Sequence, residues 1–210
     1  MATNNPRGFV PTRHITGHMI PAAGPMRPTM GANADQIVPG DVVELDVSGR
    51  LQRVSDIVSG PDTGLPLGVI AQVFNSDGRP FTFNQPGAGP LIPVSTRAFA
   101  TVYEDPGIIY TANCSTTATY QDVGAFAQVR VCAPTTAVGR SNHGVDLLGQ
   151  VNTAAGHYLK IVAVSPQDAV LDETGVSGTG NNDVEVMFVN NLWSNPFTRL
   201  NTGVNASATG

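Results

Sequence analysis

The sequence predicts an all-β protein, a β-barrel or β-sandwich of jelly-roll-like kind with an extended N-terminal arm. Three observations carry this prediction. First, 23 Gly and 16 Pro in 210 residues make up about 19% of the chain, against an ordinary usage of about 12%. Second, no stretch free of both exceeds 16 residues, and that one, 108–123, is full of Thr, Ser and Ala. Long helices are thereby excluded, since Gly and Pro cost roughly 1 and 3 kcal/mol each in a helix interior. Third, short runs between the turn residues alternate apolar and polar side chains, the pattern of half-buried strands.

Taken in order, residues 1–38 read as the arm. Pro6, Pro11, Pro21, Pro25 and Pro28 fix extended geometry, and the apolar groups between them (Phe9, Val10, Ile15, Met19, Ile20, Met26, Met30) follow no regular period. Such a segment is stable only when laid against something else. The body is expected over 39–200. Asp41 to Val47 alternates, Ser48-Gly49 turns, and Leu51 to Val54 returns as a hairpin. Further strands are predicted at Leu67–Phe74, Phe81–Phe83, Ser95–Tyr103, Ala125–Val131, Tyr158–Val164 and Val184–Val189. Ser165-Pro166-Gln167-Asp168 resembles a helix cap leading into one short helix or a turn. Residues 201–210 read as a flexible tail. No repeat at a fixed period is visible, which disfavours propellers and solenoids.

Composition removes several function classes. Ten of the eleven cations are Arg, Lys160 is the single Lys, and the formal net charge is −5. No basic stripe exists to neutralise phosphates, so nucleic acid is not expected as a partner. The longest apolar runs are four or five residues, against the ~20 needed to cross a bilayer as a helix. Arg7 and Arg13 are followed by no apolar h-region, so no signal peptide is expected.

The catalytic and ligand motifs fail on spacing. Lys160 has no Gly before it and no Ser or Thr after it, so no P-loop forms. Gly175-Val176-Ser177-Gly178-Thr179 misplaces the second Gly of a nucleophile elbow, and Gly178-Thr179-Gly180 lacks the rest of a dinucleotide fingerprint. His14 and His18 have helical ligand spacing, but Pro11, Gly17 and Pro21 oppose a helix there. Ser141-Asn142-His143 with Asp146 holds the types for nucleophilic catalysis, yet neighbours on one loop do not line up as nucleophile, base and orienter. His157 reads as an edge histidine. Asp168, Asp172, Glu173 and Asn181-Asn182-Asp183 border a Gly-rich loop, 172–183, that reads as solvated turns or a Ca²⁺ site. Cys114 and Cys132 read as buried free thiols, with pairing left open. Asn113-Cys114-Ser115 and Asn205-Ala206-Ser207 match a glycosylation pattern. Trp193, beside Leu192 and Phe197, reads as a core lid or an interface anchor. No catalytic, cofactor or metal residue is assigned.

Pro39-Gly40-Asp41-Val42-Val43-Glu44-Leu45, then Gly49-Arg50-Leu51-Gln52-Arg53 and Gly68-Val69-Ile70-Ala71, resemble segments of the small β-barrel head proteins of tailed phages. The resembling family is the capsid decoration, or cement, proteins, and the match covers roughly 39–74. The resemblance implies a non-enzymatic virion protein on the capsid exterior, assembled in the host cytoplasm. Its implied partners are the major capsid protein, whose neighbouring subunits it clamps, and itself as a homotrimer. The long arm and the extra residues after the match depart from the smallest members. Alternative readings are a tail tube or fibre-base subunit, and a carbohydrate-binding β-sandwich, although one Trp and four Tyr make few sugar platforms.

Overall fold

Two loops of identical construction show how short sequence signals set the strands. In Asp46–Arg50 and again in Asn75–Arg79, the side-chain oxygen of the first residue accepts the N–H groups two and four residues on. Gly49 and Gly78 supply the positive φ each loop needs. A computed structural model describes residues 8–29, 36–46, 48–54, 65–81, 92–93, 97–116, 118–133, 139, 141–151, 158–164 and 183–189. They form β1 (Val10–His14), β2 (Arg27–Pro28), β3 (Val42–Leu45), β4 (Leu51–Arg53), β5 (Pro66–Phe74) and β6 (Phe99–Tyr103). After these come β7 (Ile108–Asn113), a 3₁₀ turn at Tyr120–Asp122, β8 (Phe126–Arg130), β9 (Gly144–Val151), β10 (Leu159–Val164) and β11 (Asp183–Phe188).

The body is all-β and sandwich-like, built of two antiparallel sheets ordered β1-β7-β11-β10-β8-β9 and β2-β6-β5-β3-β4. The predicted strands 41–47, 51–54, 67–74, 95–103, 125–131, 158–164 and 184–189 correspond to β3, β4, β5, β6, β8, β10 and β11. Phe81 lies outside any strand. The sequence reading missed β1, β2, β7 and β9. The short helix near 165–171, the loop 172–182, His157, Trp193 and the 201–210 tail lie outside the described residues.

Over the described residues the opening segment pairs into both sheets. β1 pairs with β7 on the edge of the larger sheet, and β2 pairs with β6 on the edge of the smaller one. Phe9 is buried, and its ring meets Tyr110 and Phe188 at centroid distances of 6.3 and 6.0 Å. Edge strands tolerate proline because one row of N–H groups faces outward, which is how Pro11 and Pro28 fit. The segment is extended, as expected, but what it is laid against is its own chain.

The two sheets repeat one design. Strands β2 to β6 complete a sheet in the order third-second-fourth-fifth-first, and β7 to β11 complete the other in the same order, with β1 added outside. In each, the residue after the first strand makes a parallel bridge to the third, Thr29 to Leu51 and Cys114 to Val145, curling the sheet round its core. The fourth strand bulges at Ala71 in β5 and at Val162 in β10, between matching pairs, Ile70↔Val102 and Ile161↔Val186. Gly40 (φ 88°) and Gly124 (φ 91°) enter the second strand, and their N–H groups donate to the Ile70 and Ile161 carbonyls at 2.9 Å. Val43, Leu51, Ile70, Ala100 and Val102 line one core; their counterparts Ala127, Val145, Ile161, Val184 and Val186 line the other. The sequence hid this repeat because its offset drifts from 84 residues (Val43 to Ala127) to 94 (Leu51 to Val145).

Candidate functional site

The join between the two units is polar and buried. Asp41, Arg53 and His143 are all buried there, with the Arg53 Nε 3.2 Å from the Asp41 carboxylate. The Val42 N–H donates to His143 Nδ1 at 3.1 Å. On the other side of the ring, Nε2 meets the Arg53 guanidinium and lies 3.7 Å from the Asp41 carboxylate. Burial, then the Arg53 charge, hold the His143 pKa well below the ordinary histidine value. Arg53 also donates to the Cys132 carbonyl, and Phe9 N–H to the Gly40 carbonyl at 3.0 Å. Asp41 and Arg53 come from the stretch that carries the family resemblance, and their work is to seat one unit on the other.

This geometry takes apart the catalytic grouping around residue 141. Ser141 Oγ accepts the backbone N–H of His143, not a proton from its ring. Asp146 accepts the Ser115 hydroxyl at 3.0 Å. His14 lies on a strand; its Nδ1 meets Thr16 Oγ1 at 2.6 Å and its Nε2 lies 3.4 Å from Asp105. His18 sits in the exposed turn that follows. Among the described residues no three His, Cys, Asp or Glu gather as a metal site. Cys114 and Cys132 are both free thiols, and burial pushes Cys114 up to about 12. Asn113 is buried, with its amide 3.4 Å from Asp183, so that glycosylation pattern is closed to modification.

What the surface does offer is apolar. Of the six exposed large apolar side chains among the described residues, Val10, Ile15, Met19 and Met26 fall in one 17-residue segment, and Met19 is 91% exposed. The segment's backbone is held in place beneath them. Ile15 N–H donates to the Gly107 carbonyl and Gly24 N–H to the Val102 carbonyl, both at 2.8 Å. Arg13 pairs with Glu185 at 2.6 Å, and Arg27 grips Glu104 through two nitrogens at 2.7 and 2.9 Å. These side chains thus project from a segment tied to the body at several points. The sequence reading named these apolar residues but not their outward display. No protein-family model, no curated protein and no solved structure matches this chain.

Proposed function

We propose that this chain is a non-enzymatic virion structural protein, a decoration subunit that binds the outside of a tailed-phage capsid as a homotrimer and bridges major capsid subunits. The observation that carries the reading is the fixed apolar strip of Val10, Ile15, Met19 and Met26. Extended segments with apolar anchors recruit pockets on neighbouring subunits, and repetition round a shell lets modest contacts hold through avidity. The Pro39–Leu45 resemblance supports the same class.

Mass by light scattering, followed by binding to empty capsids, tests the proposal. A trimer that decorates the shell is expected. Ile15→Glu with Met19→Glu should weaken capsid binding at least about tenfold, worth about 1.4 kcal/mol, with the melting temperature unchanged. A monomer without capsid affinity at any concentration overturns the reading, and rings or polymers would move it to a tail tube or fibre base.

A further inference from the structure

We propose that a recess at the loop end of the first five-stranded unit is a binding site for an acidic peptide segment of a partner protein. The recess holds about 300 Å³ and is lined by Pro28, Thr29, Arg50, Ser76, Arg97, Ala98 and Phe99. Its floor is apolar or buried: Thr29 and Ala98 are closed off from solvent, tied by the Thr29 N–H to Ala98 carbonyl bond at 2.9 Å. Its rim is cationic. Arg50 and Arg97 are exposed, and neither enters an ion pair among the described residues.

Two features make this a built site. The twin Asx loops stand on its border, one ending in Arg50 and the other presenting Ser76, so their hydrogen bonds hold the backbone from which these groups project. One oxygen of the nearby Asp46 carboxylate accepts the Ser48 and Arg50 backbone N–H groups, and Asp77 is exposed on the second loop. The other unit carries no copy. At the positions of Pro28, Thr29, Arg50 and Phe99 it has Asn113, Cys114, Gly144 and Asp183, and a Cβ on Gly144 would lie 2.4 Å from the Asn113 carbonyl oxygen.

In a chain of net charge −5 with eleven cations, two guanidiniums over an apolar floor suit a carboxylate flanked by hydrocarbon. Guanidinium groups take carboxylates in two-pronged hydrogen bonds, and charge complementarity of this kind sets partner choice. A peptide segment supplies both parts, the acid for the rim and backbone or aliphatic surface for the floor. The site goes beyond the shell-binding strip and does not depend on it.

The test is a titration of the ¹⁵N-labelled full chain at low salt with acetyl-tetraglutamate amide, its tetraglutamine counterpart, and inorganic phosphate. Tetraglutamate should shift the Thr29, Ala98 and Phe99 amides and bind at least about fivefold tighter than tetraglutamine, the selectivity that charge-assisted pairs confer. Arg50→Gln with Arg97→Gln should remove that preference while the far-UV spectrum and melting temperature stay in place, both side chains being exposed. Equal binding of tetraglutamine overturns the proposal, as does binding unchanged in the double variant. Phosphate binding as well as the peptide also overturns it, leaving a simple anion site.

Discussion

The two five-stranded units follow the same path, strand for strand, and are stabilised differently. The second unit completes its core with Phe9, borrowed from the chain's beginning, in an aromatic group with Tyr110 and Phe188, whose rings lie 5.6 Å apart. The first closes on aliphatic side chains, Ile37 and Ile92 bridging beside Leu67, Ile70 and Val73. A shared hydrogen-bonded frame therefore leaves the core chemistry free to diverge, because backbone bonds at Gly40 and Gly124 do not depend on which side chains fill the middle. The opening segment is common to both, giving β2 to the first unit and β1 with Phe9 to the second.

The largest expected effect tests that sharing. Phe9→Ala should cost about 3–5 kcal/mol, the range for emptying a buried aromatic site. Urea unfolding followed by tyrosine fluorescence and by far-UV circular dichroism will show how the loss spreads. If both probes move together, the units unfold as one. If only the Tyr110 environment is lost at low urea, the first unit stands alone and the join through Asp41, Arg53 and His143 is weak. An unchanged midpoint would show that Phe9 is no part of the core.

How much of this was legible in the sequence follows from the same contrast. The alternation of Val43 with Leu45, and of Ala98, Ala100 and Val102, has period two, so β3 and β6 could be read directly. β7 escaped because Ile108, Ile109 and Tyr110 are all buried, leaving no polar partner to set the period. β9 escaped because its start looked like a loop of catalytic residue types. The repeat was invisible because inward positions conserve only apolar character, Val43 against Ala127 and Leu51 against Val145, while connecting lengths drift. Nor could spacing reveal the buried join, whose partners Arg53 and His143 lie 90 residues apart. The sequence placed Ser141 and His143 on one loop, but not the backbone bond by which the Ser141 hydroxyl accepts the His143 N–H.

A smaller effect sets the units against each other in pH. His143 is held neutral in the fold, so below the ordinary histidine pKa of 6.5 the unfolded chain takes a proton that the folded chain refuses. Stability from this group is present above that pH and is lost as pH falls. Glu44, in the first unit, has the opposite sign. Burial, partly offset by a 2.7 Å hydrogen bond from Gln52, raises its pKa to about 7 from 4.5. The folded chain keeps a proton that the unfolded chain releases, so stability is lost as pH rises through the window from 4.5 to 7. Glu44→Gln should abolish the second slope and raise stability at pH 8 by about 1 kcal/mol, the shift being discounted for screening. The variant should then show only the acid-side loss, up to about 2 kcal/mol between pH 7 and 5, a ceiling set by the unfolded histidine. Denaturant midpoints across pH 5 to 8 measure both, and a Glu44→Gln curve parallel to the parent's would remove Glu44 from the account.

The smallest effect concerns how the opening segment is fastened to each unit. Arg27 meets Glu104 with two nitrogens, and the side chains are 25% and 15% exposed. Arg13 meets Glu185 through one nitrogen, with its own side chain 51% exposed. Glu185 lies on β11 while β1 pairs with β7, so Arg13 reaches across a strand to make its bond. Two-pronged geometry and partial burial both strengthen the Arg27 pair, whereas solvent and the entropy of a long side chain dilute the Arg13 pair. Arg27→Ala should therefore cost about 1 kcal/mol and Arg13→Ala less than about 0.5 kcal/mol. Raising salt to 1 M should shrink the Arg13 effect further and leave most of the Arg27 effect, since screening reaches exposed pairs first. The order matters more than the values. If Arg13→Ala costs more than Arg27→Ala, the edge strand beside Phe9 is held by its charge rather than by the aromatic core, and the contrast drawn between the two units would reverse.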